Sequence, residues 1–468
     1  RDLHLSLRRQ RQMCIRDSLN MYVNGTLVDS VRVLGSVSET TSNLQIGYSG
    51  NWPVATIDEV FIINRSLSDE EVMALYNYTK TQFTPHFQKR VLDEGYYKWN
   101  CLAYDNTGKK AWANENYTFA VQGWWDTSFP RCRDITILNA GSTTLTNFSA
   151  YINLTYDSDM QADYDDVRFV SQPCGNGGEL LDYEIEHYDS THADVWVRIP
   201  SLPASGTTIS VYYGNSQASS AENPEGVWDS NYVLVQHLQE TSGTHYDSTS
   251  YNNDGTENGG VTQNADGRID GADTFDGSDD YVEVPYSTSL DISDKVTVEA
   301  WIKWVGSYST ESSIVFRNDD ADHVNYGFGI SNTNRMVLWM EDEADTDYDV
   351  SSSSLLNDAQ WHYAVAIYNG SHMKMYIDGV LENTTAHSFT PSSGSSPLQI
   401  GAQYYTGSYQ DYFNGTIDEV RVSDTARSSE WINQTYQMIV NQAAFVNISD
   451  CLLYTSDAAD EGLGVDLG

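Results

Sequence analysis

Between Trp228 and Tyr436 apolar and polar residues alternate again and again with a period of two. Val296-Thr297-Val298-Glu299-Ala300-Trp301-Ile302-Lys303-Trp304 is one such run, and Met373-Lys374-Met375-Tyr376-Ile377-Asp378 is another. The alternation places every second side chain on one face of a β-sheet. Turn pairs separate the runs at Asp276-Gly277, Asn369-Gly370, Asp378-Gly379 and Asn414-Gly415, as tight hairpins require. One helical signal follows the last run, over Ser428 to Tyr436. These patterns predict an all-β fold in which two antiparallel sheets form a sandwich of about 200 residues, a usual size for one all-β domain.

Other stretches repeat or precede this segment. Arg133 to Ile137, Asp163 to Phe169, Leu181 to Glu186, Asp194 to Pro200 and Thr208 to Asn215 predict a separate β domain over 123–228. There Val195, Val197 and Ile199 share a core face, while Trp196 and Arg198 share the other. Pro200 ends the strand because it has no N–H for the ladder. Leu19 to Asn77 echoes the end of the main segment: Met21-Tyr22-Val23-Asn24-Gly25 matches Met375-Tyr376-Ile377-Asp378-Gly379, and Thr56-Ile57-Asp58-Glu59-Val60 matches Thr416-Ile417-Asp418-Glu419-Val420. Gly95 to Asp105 alternates within a short segment, 80–122. Residues 438–450 read as a linker or the start of a further domain. Residues 1–18 and 451–468 share neither composition nor periodicity with the rest, and both resemble translated sequencing-adapter sequence.

The blocks along 229–437 carry a resemblance. Asp247-Ser248-Thr249, Asn253-Asp254-Gly255-Thr256, Gly271-Ala272-Asp273-Thr274-Phe275-Asp276-Gly277, Val298-Glu299-Ala300-Trp301-Ile302, Leu398-Gln399-Ile400-Gly401 and Gly415-Thr416-Ile417-Asp418-Glu419-Val420 occur in order. Together they resemble a laminin-G-like jelly roll of the concanavalin A-like lectin and glucanase class. The resemblance implies tandem β-sandwiches, with the main one a jelly roll. It makes 19–79 the end of a truncated second copy. Residues 123–228 resemble an uncharacterised domain that precedes such modules in prokaryotic surface proteins, and 80–122 is similar to the closing strands of an immunoglobulin-like domain.

Charge narrows the choice of partner. The chain of 468 residues has 66 acidic and 25 basic side chains, for a formal net charge of -41. Such a surface repels nucleic acid and anionic lipid, so the expected partner is a carbohydrate or a cell-surface ligand, and the expected location is extracellular or on the cell surface. Sequons at Asn147, Asn383 and Asn414 are compatible with that location. Cys132 and Cys174 fall in one domain, and a disulfide between them requires Cα atoms within about 7 Å.

Three places could carry chemistry. Glu341, Glu343 and Asp345 alternate, as the paired carboxylates of a retaining glycosidase would. Their neighbours Asp342 and Ala344 make a solvated acidic loop the better reading, so no catalytic residue is expected and the protein is read as a non-enzyme. His362 and His323 have no partner at ligand spacing and are read as solvated or satisfied. The Asp247 to Gly255 loop offers hard oxygen donors. By the jelly-roll resemblance, calcium is expected at Asp247 and Asn253, with Asp418 as a further ligand. The same loop also reads as an Asx-turn. Tyr404, Tyr405 and Tyr409 lie on one loop, and exposed aromatic rings stack on sugars. The expected function is therefore non-catalytic recognition through the jelly roll. Its alternatives are a structural spacer in a surface layer or stalk, and an accessory region of a larger glycan-degrading enzyme.

Overall fold

The computed structural model describes residues 124–306, 311–318, 323–356 and 358–450 in full. Elsewhere it gives only the backbone pairing of short strands, such as Asp17–Val23 with Thr26–Val33 and Gly95–Trp99 with Tyr117–Val121. The expected truncated module, the immunoglobulin-like remnant and both terminal segments lie outside the fully described residues.

Two β-sandwiches follow one another. In the first, Tyr183–Tyr188, His192–Leu202 and Leu145–Thr155 make one sheet. The facing sheet is Arg168–Val170, Thr207–Tyr213 and Arg131–Ile137. Val195, Val197 and Ile199 enter the core between them, as their spacing predicts. The block starting at Asp163 becomes a strand only at Arg168. Before it, Asp166 accepts backbone N–H bonds from Gln161 and Gly214, and this side-chain capture competes with a ladder. Cys132 and Cys174 are joined, with Cα atoms 5.9 Å apart.

The second sandwich is the jelly roll. One sheet runs in the order Thr262–Asp266, Gly271–Asp276, Asn414–Ser423, Val296–Trp304, His362–Tyr368, His372–Ile377, Val380–Ala386, and Tyr232–Gln236 also pairs with Asn414–Ser423. The other includes Gly255–Asn258, Tyr281–Val284, Leu398–Ile400, Ser312–Asn318, Val324–Ile330, Met336–Glu341 and Asp347–Ser351. Apolar residues of both inner faces, among them Val298, Ala300, Phe328, Leu338, Ile400 and Val422, form one buried core. Asp378 and Gly379 both adopt positive φ, 53° and 78°, the conformation a two-residue hairpin turn requires.

The helix Ser429–Val440 begins where predicted. Ser428 caps it by accepting the N–H of Trp431 at 3.1 Å, which satisfies one of the free N–H groups of the first turn. Its role was not predicted. Ile432 packs on Trp301, Tyr363 and Tyr376, the outer face of the jelly-roll sheet. On its other side Trp431 meets Phe148 of the first sandwich, with ring centroids 4.9 Å apart. Gln434 also bridges, donating to the Leu138 carbonyl and accepting from the Ala140 N–H.

Residues 438–450 are neither linker nor new domain. The helix runs on to Val440, a short turn of helix spans Gln442–Phe445, and Val446–Ile448 pairs antiparallel with Arg131–Ile137. The chain thus returns to complete the sheet of the first sandwich. The backbone of Leu452–Leu453 continues that pairing opposite Cys132 and Arg131, within the stretch that sequence alone set apart.

Candidate functional site

The tyrosine loop is a small hairpin. Gln403–Tyr405 pairs with Ser408–Gln410 around Thr406 and Gly407, both at positive φ. Tyr409 stacks on Tyr281 with centroids 4.1 Å apart and planes 24° from parallel. Tyr404 leans on Tyr409 at 5.0 Å. The Tyr409 hydroxyl donates to Glu283 at 2.5 Å, which fixes the ring. Burial and that carboxylate hold the Tyr409 hydroxyl well above the usual phenol range, so it stays a neutral donor. Tyr404, Tyr405, Tyr409 and Tyr281 are each half-buried. The hairpin therefore presents a fixed aromatic ledge. Tyr281 was not singled out from sequence, because it lies 128 residues before Tyr409 and meets it only through the fold.

The residues expected to hold calcium do not form one donor set. Asp247 is buried, and its two oxygens accept from the N–H groups of Val235, Thr249 and Asn253 and from the Thr249 hydroxyl. Asn253 donates to the Val233 carbonyl and to Ser289. Asp247 thus organises its own loop through four accepted hydrogen bonds. Asp418 bonds elsewhere, accepting from the N–H groups of Arg268 and Ile269. The acidic run after Met340 is not uniformly solvated either. Glu341 is buried and accepts the Val324 N–H, whereas Glu343 and Asp345 are exposed. His362 is satisfied by Asp378 at 2.9 Å and Asp358 at 3.2 Å.

A further cluster lies between the two sandwiches. The strand Tyr183–Tyr188 directs Glu184 and Glu186, two residues apart, at the jelly roll, and both are buried. His237, next after the strand Tyr232–Gln236, meets Glu184 through Nε2 at 2.6 Å. Its Nδ1 lies 2.5 Å from Glu419 and 3.3 Å from Glu186. Glu419 stands at a bulge in the last strand, with φ of 55°. A bulge lets adjacent residues escape strict alternation, and Asp418 and Glu419 both act on this cluster. Arg421 bonds Glu419 and lies 4.4 Å from the centre of the Trp196 ring and 4.9 Å from that of Trp228. Trp196 and Trp228 donate to Glu186 and Glu184.

Burial sets the electrostatics here. It pushes the Glu186 carboxyl up to about 8 and the Asp418 carboxyl to about 7. Burial also raises Glu184, but His237, Ser248 and Trp228 outweigh it and leave that carboxyl below its ordinary value. For His237 burial favours the neutral ring, and the charges of Glu186 and Glu184 reverse the balance and raise its pKa. The sequence signal was the Glu184-Ile185-Glu186 pattern facing the same way as Trp196. It could not be read, because nothing local says that this face is covered.

With the geometry in view, residues 276–433 match the family described as Concanavalin A-like lectin/glucanases superfamily, a laminin-G-like family. Residues 163–254 match a domain of unknown function, DUF2341. The second sandwich is a laminin-G-like domain. No curated protein matches the chain. Among solved structures, the laminin-G-like fold resembles the binding domain of Paraclostridial Mosquitocidal Protein 1, at 15% identity and TM-score 0.38, over 44% of this chain and 52% of that one. It also resembles domain 4 of AbnA, an extracellular GH43 arabinanase from Geobacillus stearothermophilus in complex with arabinotriose. That match is at 19% identity and TM-score 0.36, over 44% of this chain and 98% of that domain. A third is a structure of botulinum neurotoxin type C, a toxin whose cell entry depends upon interaction with two ganglioside molecules, at 17% identity and TM-score 0.37, over 45% of this chain and 51% of that one. The chain spans about half the length of both toxin structures.

Proposed function

We propose that the protein is a secreted or surface-attached recognition module that binds carbohydrate through the tyrosine hairpin of its laminin-G-like domain, without catalysis. The observation that carries this reading is the Tyr281–Tyr409 stack at 4.1 Å with Tyr404 against it. A pyranose ring offers C–H groups to an aromatic face while its hydroxyls find polar neighbours at the edge. Glu283 already holds Tyr409, so little side-chain freedom is lost on binding. Gln403 and Gln410, paired beside the ring ledge, supply amides for hydroxyl groups. The Cys132–Cys174 bond supports an exterior location, since cytosolic thiols are kept reduced. The reading uses no ion at Asp247.

A glycan array probed with the full chain tests it. Binding to a defined set of glycans, lost in both Tyr404→Ala and Tyr409→Ala, is the expected result. Binding unchanged in both variants would remove the hairpin from the reading.

One observation favours the second reading, a rigid spacer. The two sandwiches share a continuous buried cluster that includes Trp196, Trp228, Tyr232, Trp431 and Val446. A bare array with the wild-type chain would point to that role.

A further inference from the structure

The charge balance of the buried interface is uneven. Glu184, Glu186, Asp418 and Glu419 are all buried, and Arg421 and His237 are the buried cations acting on them. Unpaired charge in such a place is costly. Two oxygens also have no hydrogen-bond partner, Oε1 of Glu186 and Oδ1 of Asp418. The Glu186 side chain is wholly buried and approaches His237 from the first sandwich. One ligand atom each from Glu186, His237 and Glu419 lies within 4.8 Å of the others.

We propose that this interface is a binding site for a divalent transition-metal ion of the zinc class, with Glu186, Nδ1 of His237 and Glu419 as its ligands. The imidazole decides the class, since calcium and magnesium take oxygen donors while zinc accepts nitrogen and carboxylate together. The surroundings suit it. Nε2 of His237 donates to Glu184, and Glu184 is itself held by Trp228 and Ser248. A carboxylate on the second ring nitrogen fixes the tautomer of a metal-bound histidine and makes it a better ligand. Trp196 orients Glu186, and Arg421 orients Glu419. Asp418 adds negative charge that acts on both Glu186 and His237. The ligands come from both sandwiches, so the ion would also tie them together.

The competing arrangement has protons on Glu186 and Asp418 and binds no metal. The full chain, dialysed against chelator and then against chelator-free buffer, is incubated with zinc chloride alone, with manganese chloride and calcium chloride as separate arms. Metal retained per chain is measured by elemental mass spectrometry, and melting by calorimetry. The half-exposed His187 and His192 with the buried Asp194 could also capture zinc, so the work is done in a His187→Gln, His192→Gln background.

The expected result is one retained zinc per chain and a melting temperature raised by about 5 °C or more at saturation. Both effects are lost in Glu186→Gln and His237→Gln. Absence of retained zinc or manganese, a response to calcium alone, or zinc retained by both variants would each overturn the proposal. If neither variant folds, the stoichiometry and melting shift of the background protein decide. Glycan binding is a separate readout, so failure here leaves the hairpin reading intact.

Discussion

His237 of the laminin-G-like domain and Glu184 of the preceding sandwich meet at 2.6 Å, and both side chains are buried. The pair joins the two sandwiches, although both residues fall within the match over residues 163–254. Each sandwich therefore buries a charged group whose partners include a group of the other. Leaving one partner of such a pair buried and alone is strongly destabilising, so the two sandwiches are expected to unfold as one unit.

Trp196 tests that coupling. Its ring packs on Trp228 and Tyr151 and under Arg421. Trp196→Ala is expected to cost about 3–5 kcal/mol. It should also split a single calorimetric transition into two. One unchanged transition would show that the interface adds little.

Asp229 and Arg427 clamp the first strand of the jelly roll to the segment before the helix. Arg427 makes two hydrogen bonds to Asp229, at 2.6 and 2.8 Å, and both residues are buried. Arg427→Met is expected to cost about 3–5 kcal/mol because it leaves Asp229 unpaired. Burial raises the Asp229 pKa, but the hydrogen bonds and charge of Arg427 outweigh it, so the carboxyl sits below its ordinary value of 3.8. A depressed folded pKa contributes stability that is complete above the unfolded value and is lost as pH falls through the folded one. Denaturant melts below pH 3.8 should show this loss in the wild type and a smaller slope in Asp229→Asn.

The Cys132–Cys174 bond closes a sequence separation of 42 residues. Chain entropy assigns such a loop about 4 kcal/mol. Cys132→Ser with Cys174→Ser should lower stability by up to that amount, and reducing agent should do the same to the wild type. Urea titration with and without reductant measures it.

Asp247 separates a backbone role from an ionic one. Asp247→Ala removes the acceptor of four hydrogen bonds and leaves buried N–H groups unpaired. Each unsatisfied group costs about 1–3 kcal/mol. The variant should be destabilised by the same amount in calcium and in chelator. A loss seen only in calcium would restore an ion to this loop.

The all-β class, the two sandwiches, the Ser428 helix start and the hairpin turns were all legible, because each rests on local periodicity or turn chemistry. Alternation sorted Val195, Val197 and Ile199 from Trp196 and Arg198 correctly. It did not reveal that Trp196 is 1% exposed. The tyrosine hairpin was placed on a loop from sequence, but its stacking partner Tyr281 was not. Asp247 and Asn253, singled out by the jelly-roll resemblance, do meet in one loop, where they bond the backbone, the Thr249 hydroxyl and Ser289.

A period of two states which side chains share a face, and sequence by itself determined that much for Val296–Trp304 and His192–Leu202. What covers the face is a matter of tertiary structure. The outer residues Thr297, Glu299 and Trp301 are buried as deeply as the inner ones. The helix Ser429–Val440 and the neighbouring sandwich cover that side. His237 draws on Glu184 from 53 residues away and on Glu419 from 182 residues away. Neither distance leaves a local trace, because a carboxylate destined for solvent and one destined for a buried interface are the same residue until the second surface arrives.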